Sequence, residues 1–166
     1  MRDQSPGLLR ASGTLPFSCE QVFNLAADIE RYPEFLPGWI SARIRKRECN
    51  TCHVDQVLGF GPVRLQFASK AVLQPSHRID VTSTDPRFRK YSLSWLIEEA
   101  PTRSCHVSVA VDLELTSGLF QLVVNRLLPA AVDDIVAAFR ARAHAIYAEP
   151  QGDCPMTRGS KDSDAS

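Results

Sequence analysis

Between Trp39 and Thr116 apolar residues recur at every second position, and directly after Gly118 the spacing changes to that of a helix. Val63, Leu65, Phe67, Ser69, Ala71 and Leu73 share one set of positions, with Arg64, Gln66 and Lys70 on the other. Tyr91, Leu93, Trp95 and Ile97 repeat the pattern, as do Cys105, Val107, Val109, Val111, Leu113 and Leu115 against His106, Ser108, Asp112 and Glu114. Alternation of this kind sends side chains to opposite faces of a sheet, one buried and one wet, as in antiparallel sheets covered on one side. Asp112 and Glu114 fall on the wet face, where solvation is the expected role.

Turn residues at Asn50-Thr51, Gly61-Pro62, Pro75-Ser76, Asp85-Pro86 and Ala100-Pro101 divide the region into strands near 39–48, 52–59, 63–73, 78–83, 91–99 and 104–116. A seventh strand is expected over 8–15, although Gly13 and Pro16 interrupt its pattern. Ser18 with Gln21 three residues on is a capping box, and Val22, Phe23, Leu25, Ala26 and Ile29 predict a short helix over 19–27. Two prolines and a glycine in Tyr32–Trp39 make that segment a shaped loop or a single helical turn.

After Gly118 the stripe Leu119, Leu122, Val123, Leu127, Val132, Ile135, Phe139, Ala143 and Ile146 predicts a helix of about thirty residues, on the order of 45 Å long. Pro129 removes a backbone donor within it, so two segments hinged near 128–130 are expected. The fold class is therefore α+β, with a curved antiparallel sheet of about seven strands wrapped around a long C-terminal helix. A single domain over 1–147 is expected, followed by a disordered tail over 148–166 with almost nothing to bury.

A bent sheet and a long helix do not close on each other everywhere, and the space between them either fills with aromatic side chains or holds a ligand. Phe60, Phe67, Tyr91, Trp95 and Phe139 are the aromatic candidates. By alternation Gln56 points inward with Cys52, Val54 and Leu58, and Ser69 with Phe67 and Ala71. A buried amide needs partners, which a ligand or a trapped water can provide.

Lysine plus arginine equal aspartate plus glutamate at 19 each, so no overall field draws the chain to nucleic acid or to an anionic membrane. DNA is not an expected partner. Arg43, Arg45, Lys46 and Arg47 read as a solvated strand face. No apolar run reaches the roughly 20 residues of a membrane span, and no signal-peptide core is present, so a soluble protein is expected. The five cysteines, Cys19, Cys49, Cys52, Cys105 and Cys154, suit reduced thiols in a cytosolic setting.

Cys49-Asn50-Thr51-Cys52-His53 has the spacing of a c-type haem attachment site. It falls in a predicted hairpin turn without a following helix, so no covalent cofactor is expected. A zinc or redox pair would need further donors, for which Cys105 and His106 are the evident candidates, and exposed thiols are the simpler reading. No Gly-x-Ser-x-Gly elbow, phosphate loop or dinucleotide fingerprint occurs, and His77, His106 and His144 show no spacing that couples a base to a nucleophile.

The segment Asp28-Ile29-Glu30-Arg31-Tyr32-Pro33-Glu34-Phe35-Leu36-Pro37 resembles the hallmark of the coenzyme Q-binding START-like family, which includes a ribosome-association toxin branch within the polyketide cyclase-like superfamily. Phe67-Ala68-Ser69-Lys70, Phe88-Arg89-Lys90-Tyr91 with Trp95, and Ala138–Ala143 through Ile146-Tyr147 extend the likeness over about Pro16 to Tyr147. It departs at Pro86-Arg87, where the family has Gly-Pro, and at Gly38-Trp39.

The resemblance implies a helix-grip fold whose cavity holds ubiquinone or a similar isoprenoid lipid, and a non-enzymatic chaperone role in quinone biosynthesis or respiratory electron transport. The expected ligand-binding residues are Tyr32, Pro33, Phe35, Leu36, Pro37, Gln56, Phe60, Phe67, Ser69, Phe88, Tyr91, Trp95, Val132 and Phe139, with Gln56, Ser69 or the Trp95 indole as donors to ring carbonyls. Peripheral contact with a membrane through Tyr32–Trp39 and Phe60–Pro62 is a further expectation. The implied location is the bacterial cytoplasm beside the inner membrane, or the matrix side of a mitochondrion. A ribosomal subunit as partner, or cyclase-like catalysis, are the alternatives that the same resemblance carries.

Overall fold

The computed structural model describes residues 8–148. Of the stretch 148–166 read above as a tail, 149–166 lies outside the described residues. Seven strands form one sheet: β1 (Leu8–Leu15), β2 (Trp39–Glu48), β3 (Thr51–Phe60), β4 (Val63–Gln74), β5 (Arg78–Thr82), β6 (Phe88–Ala100) and β7 (Ser104–Leu115). Every pairing is antiparallel and the order is β1-β7-β6-β5-β4-β3-β2. A meander thus runs from β2 to β7, and β1 closes onto its far edge. The chain between β1 and β2 crosses from one edge to the other through α1 (Cys19–Ala27), a 3-10 turn (Ile29–Arg31) and the single turn α2 (Tyr32–Phe35). The helix α3 (Gly118–Tyr147) completes the expected helix-grip arrangement.

Local chemistry accounts for these elements. The Ser18 side chain accepts from the Gln21 N–H, and the Gln21 side chain accepts from the Ser18 N–H, which forms the capping box foreseen for α1. Ser117 caps α3 in the same way through the Phe120 N–H. β1 forms in spite of Gly13, where α3 comes close: a Cβ would lie 2.6 Å from Nη2 at the flexible end of Arg140 and 3.1 Å from Val136 Cγ1, so α3 rests directly on this strand.

The expected break at Pro129 is absent; α3 runs as one element of 30 residues. Proline forfeits the bond to the Asn125 carbonyl but leaves the bonds around it in place, and Leu128 and Val132 on either side are buried against the sheet. Packing on both sides of the proline keeps the helix continuous through it.

The stripe along α3 also needs correction. In the second half Val132, Ile135, Phe139 and Ala143 are buried as expected, but in the first half the buried residues are Val124 and Leu128. Leu119 and Leu122 are 71% and 68% exposed, and Leu127 and Ile146 are exposed as well. Gly118–Leu128 is apolar on several faces, so spacing alone could not choose one; continuing the 132-135-139-143 row backwards selects 128 and 124.

A second correction concerns β6. It begins at Phe88, three residues before the expected start, because Phe88 pairs with Leu115 and Lys90 with Glu114, leaving Arg89 as an extra residue. This bulge restores Phe88 to the same face as Tyr91, which strict alternation forbids. Asp112 is the third. It lies on the outer face but is buried, because Lys90 Nζ sits 2.5 Å from its Oδ2 and Leu8 of β1 pairs across from it.

Candidate functional site

The family-like segment 28–37 turns out to be a set of fastenings. The Tyr32 hydroxyl donates to the Ala26 carbonyl, Glu30 Oε1 accepts from the Ile44 N–H at 2.9 Å, and Glu34 Oε2 lies 2.7 Å from Arg142 Nη2. The Arg142 guanidinium also stands 5.4 Å over the Phe35 ring. These bonds tie the crossing segment to α1, to β2 and to α3 in turn. Burial, chiefly, drives the Tyr32 phenol well above its ordinary pKa, and the nearby Tyr91 adds to it; the Trp95 N–H opposes this from outside hydrogen-bond geometry.

Two aromatic groups fill most of the interior. Tyr32 meets Phe35, Trp39 and Trp95 with ring centroids 5.6 to 6.5 Å apart, and Phe139 closes on Trp95 at 4.8 Å and on Phe35 at 6.3 Å. Phe67, Phe88 and Tyr91 form a second group, with centroids 4.8 to 5.0 Å apart, and the bulge at Arg89 is what permits it. Such edge and tilted contacts each add about 0.5 to 1.5 kcal/mol beyond burial.

A polar chain runs along one side. Trp39 Nε1 donates to Gln56 Oε1 at 3.0 Å, Gln56 Nε2 donates to Ser69 Oγ at 2.6 Å, and Ser69 Oγ donates to the Val54 carbonyl at 3.2 Å. Gln56 and Ser69 do point inward, but they satisfy each other. The Trp95 indole N–H, by contrast, is fully buried and has no acceptor within hydrogen-bond geometry among the described residues.

Between sheet and α3 lies an enclosed apolar cavity of about 20 Å³. Its walls are Pro37, Gly38 and Trp39, then Leu58 and Phe60 of β3, Tyr91 and Leu93 of β6, Val111 and Leu113 of β7, and Leu128, Ala131 and Ile135 of α3. Against it, on the outside, a groove of about 400 Å³ is lined by Leu9, Leu113, Glu114, Gln121, Asn125, Leu128 and Pro129. Leu113 and Leu128 belong to both linings. The inner space has room for about one water, whereas ligand pockets run from about 300 to 1,000 Å³. Among the described residues the only ionisable group on the cavity wall is the Tyr91 phenol, and burial raises its pKa far out of the physiological range.

Of the residues expected at a ligand site, Pro37, Phe60 and Tyr91 line the cavity. Tyr32, Phe35, Trp95 and Phe139 form the aromatic group beside it, while Phe67 and Phe88 pack behind Tyr91. Leu36 and Val132 are buried core, Pro33 is half-buried, and Gln56 and Ser69 make the polar chain. Phe35 and Leu36 turn inward, and the exposed large apolar groups are Ile40, Leu119, Phe120, Leu122, Leu127 and Ile146. Sequence reasoning missed Gly38, Trp39, Leu58, Leu93, Val111, Leu113, Leu128, Ala131 and Ile135. Alternation did turn Leu58, Leu93, Val111 and Leu113 inward, so for these the direction was legible and the cavity was not.

The Cys49 and Cys52 thiols part company. Cys49 is exposed in the β2–β3 turn with φ at 51°, whereas Cys52 is buried in β3, as alternation with Val54 and Gln56 implied and contrary to the reading of both as exposed turn thiols. Among the described residues no group of three or more His, Cys, Asp or Glu side chains converges, and Cys105 and His106 do not join the turn. The basic run on β2 is exposed, with Arg45 paired to Asp55 and Lys46 to Glu48. No helix among the described residues is long and apolar enough to cross a membrane.

Comparison with known proteins agrees with this architecture. The chain is 26% identical over 133 residues to the ribosome association toxin RatA of Escherichia coli strain K12, covering 80% of this chain and 84% of the relative. It is 25% identical over 137 residues to the mitochondrial coenzyme Q-binding protein COQ10 of Dictyostelium discoideum, covering 80% of this chain and 67% of the relative. A START superfamily protein from Mycobacterium smegmatis superimposes with a TM-score of 0.71 at 15% identity, over 83% of this chain and 97% of that one, and so shares the fold. The model of the polyketide cyclase / dehydrase and lipid transport family matches residues 15–140. A chain matched over that span, folded as a seven-stranded antiparallel sheet gripping one long helix, belongs to the polyketide cyclase / dehydrase and lipid transport family.

Proposed function

We propose that the protein is a non-catalytic carrier of a long apolar lipid of the isoprenoid quinone class, ubiquinone being the first candidate. The observation that carries this reading is the wall shared by the inner cavity and the outer groove. Displacing Leu128 away from Leu113 would merge the two into a space within the size range of ligand pockets. The lining is suited to a lipid: apolar inside, with the amides of Gln121 and Asn125 at the outer end for ring carbonyls. Burial of methylenes at about 0.8 kcal/mol each supplies affinity without any reacting group. The Trp95 N–H is a further donor if the ring penetrates deeply. The coenzyme Q-binding relative supports the same class of ligand.

The test is organic extraction of the purified protein and mass spectrometry, followed by titration of the delipidated protein with ubiquinone while Trp39 and Trp95 fluorescence is recorded. Stoichiometric quinone or saturable quenching is the expected result. An empty extract from a quinone-producing host, together with unchanged fluorescence, would overturn the reading.

A second reading is association with a ribosomal subunit, as the name of the RatA relatives suggests. It is favoured by the small inner cavity and by Leu119, Phe120 and Leu122, which stand exposed on the first turn of α3. Co-sedimentation with isolated subunits separates the two: a carrier stays in the supernatant. Cyclase-like chemistry, which the family also includes, would have to draw on the Tyr91 phenol of the cavity wall or on Glu114 of the outer groove.

A further inference from the structure

Away from the cavity, at the other end of the sheet, Cys19 and Cys105 face each other with their sulfurs 3.4 Å apart. Cys19 is the first residue of α1 and Cys105 the second of β7, so the pair joins two elements 86 positions apart in the chain. Cys105 is fully buried. Cys19 is half-buried and opens onto a groove of about 400 Å³ whose other lining residues are Ser18, Glu99, Ala100, Arg103 and Ser104. One thiol can therefore be reached from solvent by a small molecule and the other only through the first. Burial and the neighbouring Cys19 push the Cys105 thiol up to about 12, which keeps it protonated until it is needed.

We infer that Cys19 and Cys105 form a reversible dithiol–disulfide site, with a small hydroperoxide as the oxidant and a dithiol as the reductant. The Cys19 sulfur attacks the distal peroxide oxygen, the O–O bond breaks, and the departing oxygen takes up the thiol proton as water or alcohol, leaving a sulfenic acid. The Cys105 sulfur then attacks the Cys19 sulfur, and its proton leaves with the hydroxyl as water. Two thiols have lost two electrons and the peroxide has gained them. Closure brings the sulfurs from 3.4 Å to about 2.05 Å, a shift within reach of side-chain rotation at the exposed partner. Reduction by a dithiol reverses the bond. The product fastens α1 to β7 covalently.

The experiment uses the full-length wild-type protein. After treatment with one equivalent of hydrogen peroxide and blocking of free thiols, trypsin places Cys19 in fragment 11–31, Cys105 in 104–126, and both Cys49 and Cys52 in 48–64. The expected result is a linked 11–31/104–126 species that dithiothreitol dissolves, together with a rise in Tm on the order of 10 °C for closure of so long a loop. In Cys105→Ala, Cys19 accumulates instead as a sulfenic acid that dimedone traps. Unlinked fragments with Cys19 driven to sulfinic acid, or a Cys19 that stays unmodified at hundredfold excess of peroxide, would overturn the assignment.

Discussion

Leu113 of β7 and Leu128 of α3 each line both the inner apolar cavity and the groove outside it, and so stand as the partition between the two. Both are buried, at 2% and 6% exposure, so the two side chains are well packed where the cavity and the groove meet. The proposed carrier function depends on that partition giving way.

Leu128→Ala removes the helix side of the wall. It is expected to destabilise the protein by about 2 to 5 kcal/mol in urea denaturation, as truncations of buried leucine do. Uptake of an apolar fluorescent probe should become faster and tighter. Slower uptake in a folded variant would place the entrance elsewhere.

The chain from Trp39 through Gln56 and Ser69 to the Val54 carbonyl makes Gln56 the residue with most to lose. Gln56→Leu leaves the Trp39 N–H without its acceptor and is expected to cost about 1 to 3 kcal/mol. Adding Ser69→Ala should cost less than the sum of the single changes, since the two share one network. Additive denaturation energies would show that the contacts act independently.

Stability should fall in alkaline solution. Burial raises the Cys105 thiol from an ordinary value near 9 to about 12, so the folded protein retains a proton that the unfolded chain has lost. The contribution is complete below pH 9 and fades as pH rises towards 12. Tyr32 and Tyr91, from an ordinary value of 10.0, and the Asp112-paired Lys90, from 10.5, are raised too and act in the same sense as pH rises past those values. Cys105→Ala should flatten the decline between pH 9 and 12 in reduced samples, read as Tm against pH.

Pro129 interrupts the bonding of α3 and also lines the outer groove. Pro129→Ala restores a backbone donor for the Asn125 carbonyl and is expected to stabilise the protein by up to about 3 kcal/mol. If the first half of α3 swings out to admit a ligand, the same change slows uptake. Stabilisation with unchanged uptake kinetics would confine proline's effect to the helix.

How much of this was legible beforehand differs between elements. β3 keeps an unbroken two-residue period, as does β4 from Val63 to Ala71, and their faces were read correctly because one side meets the core along that length. β6 was cut short because the bulge at Arg89 breaks the period where Phe88 enters the core. The first half of α3 was turned by one residue because leucines surround it, and only contact with the sheet selects Val124 and Leu128. Asp112 was read as solvated because alternation gives direction and not cover; the cover comes from Lys90 and β1.

By itself the sequence determined the order of seven strands and the long helix, the capped α1, the inward set of apolar residues and the family-like segment that fastens the crossing chain. These depend on near neighbours: alternation, helical spacing, caps and turn residues act over a few positions. Only the tertiary structure decided the size of the cavity, the partners of Gln56, the orphaned Trp95 N–H and the meeting of Cys19 with Cys105. Each of those is set by how tightly distant elements pack, and packing distance is a property of the assembled sheet and helix that no local pattern encodes.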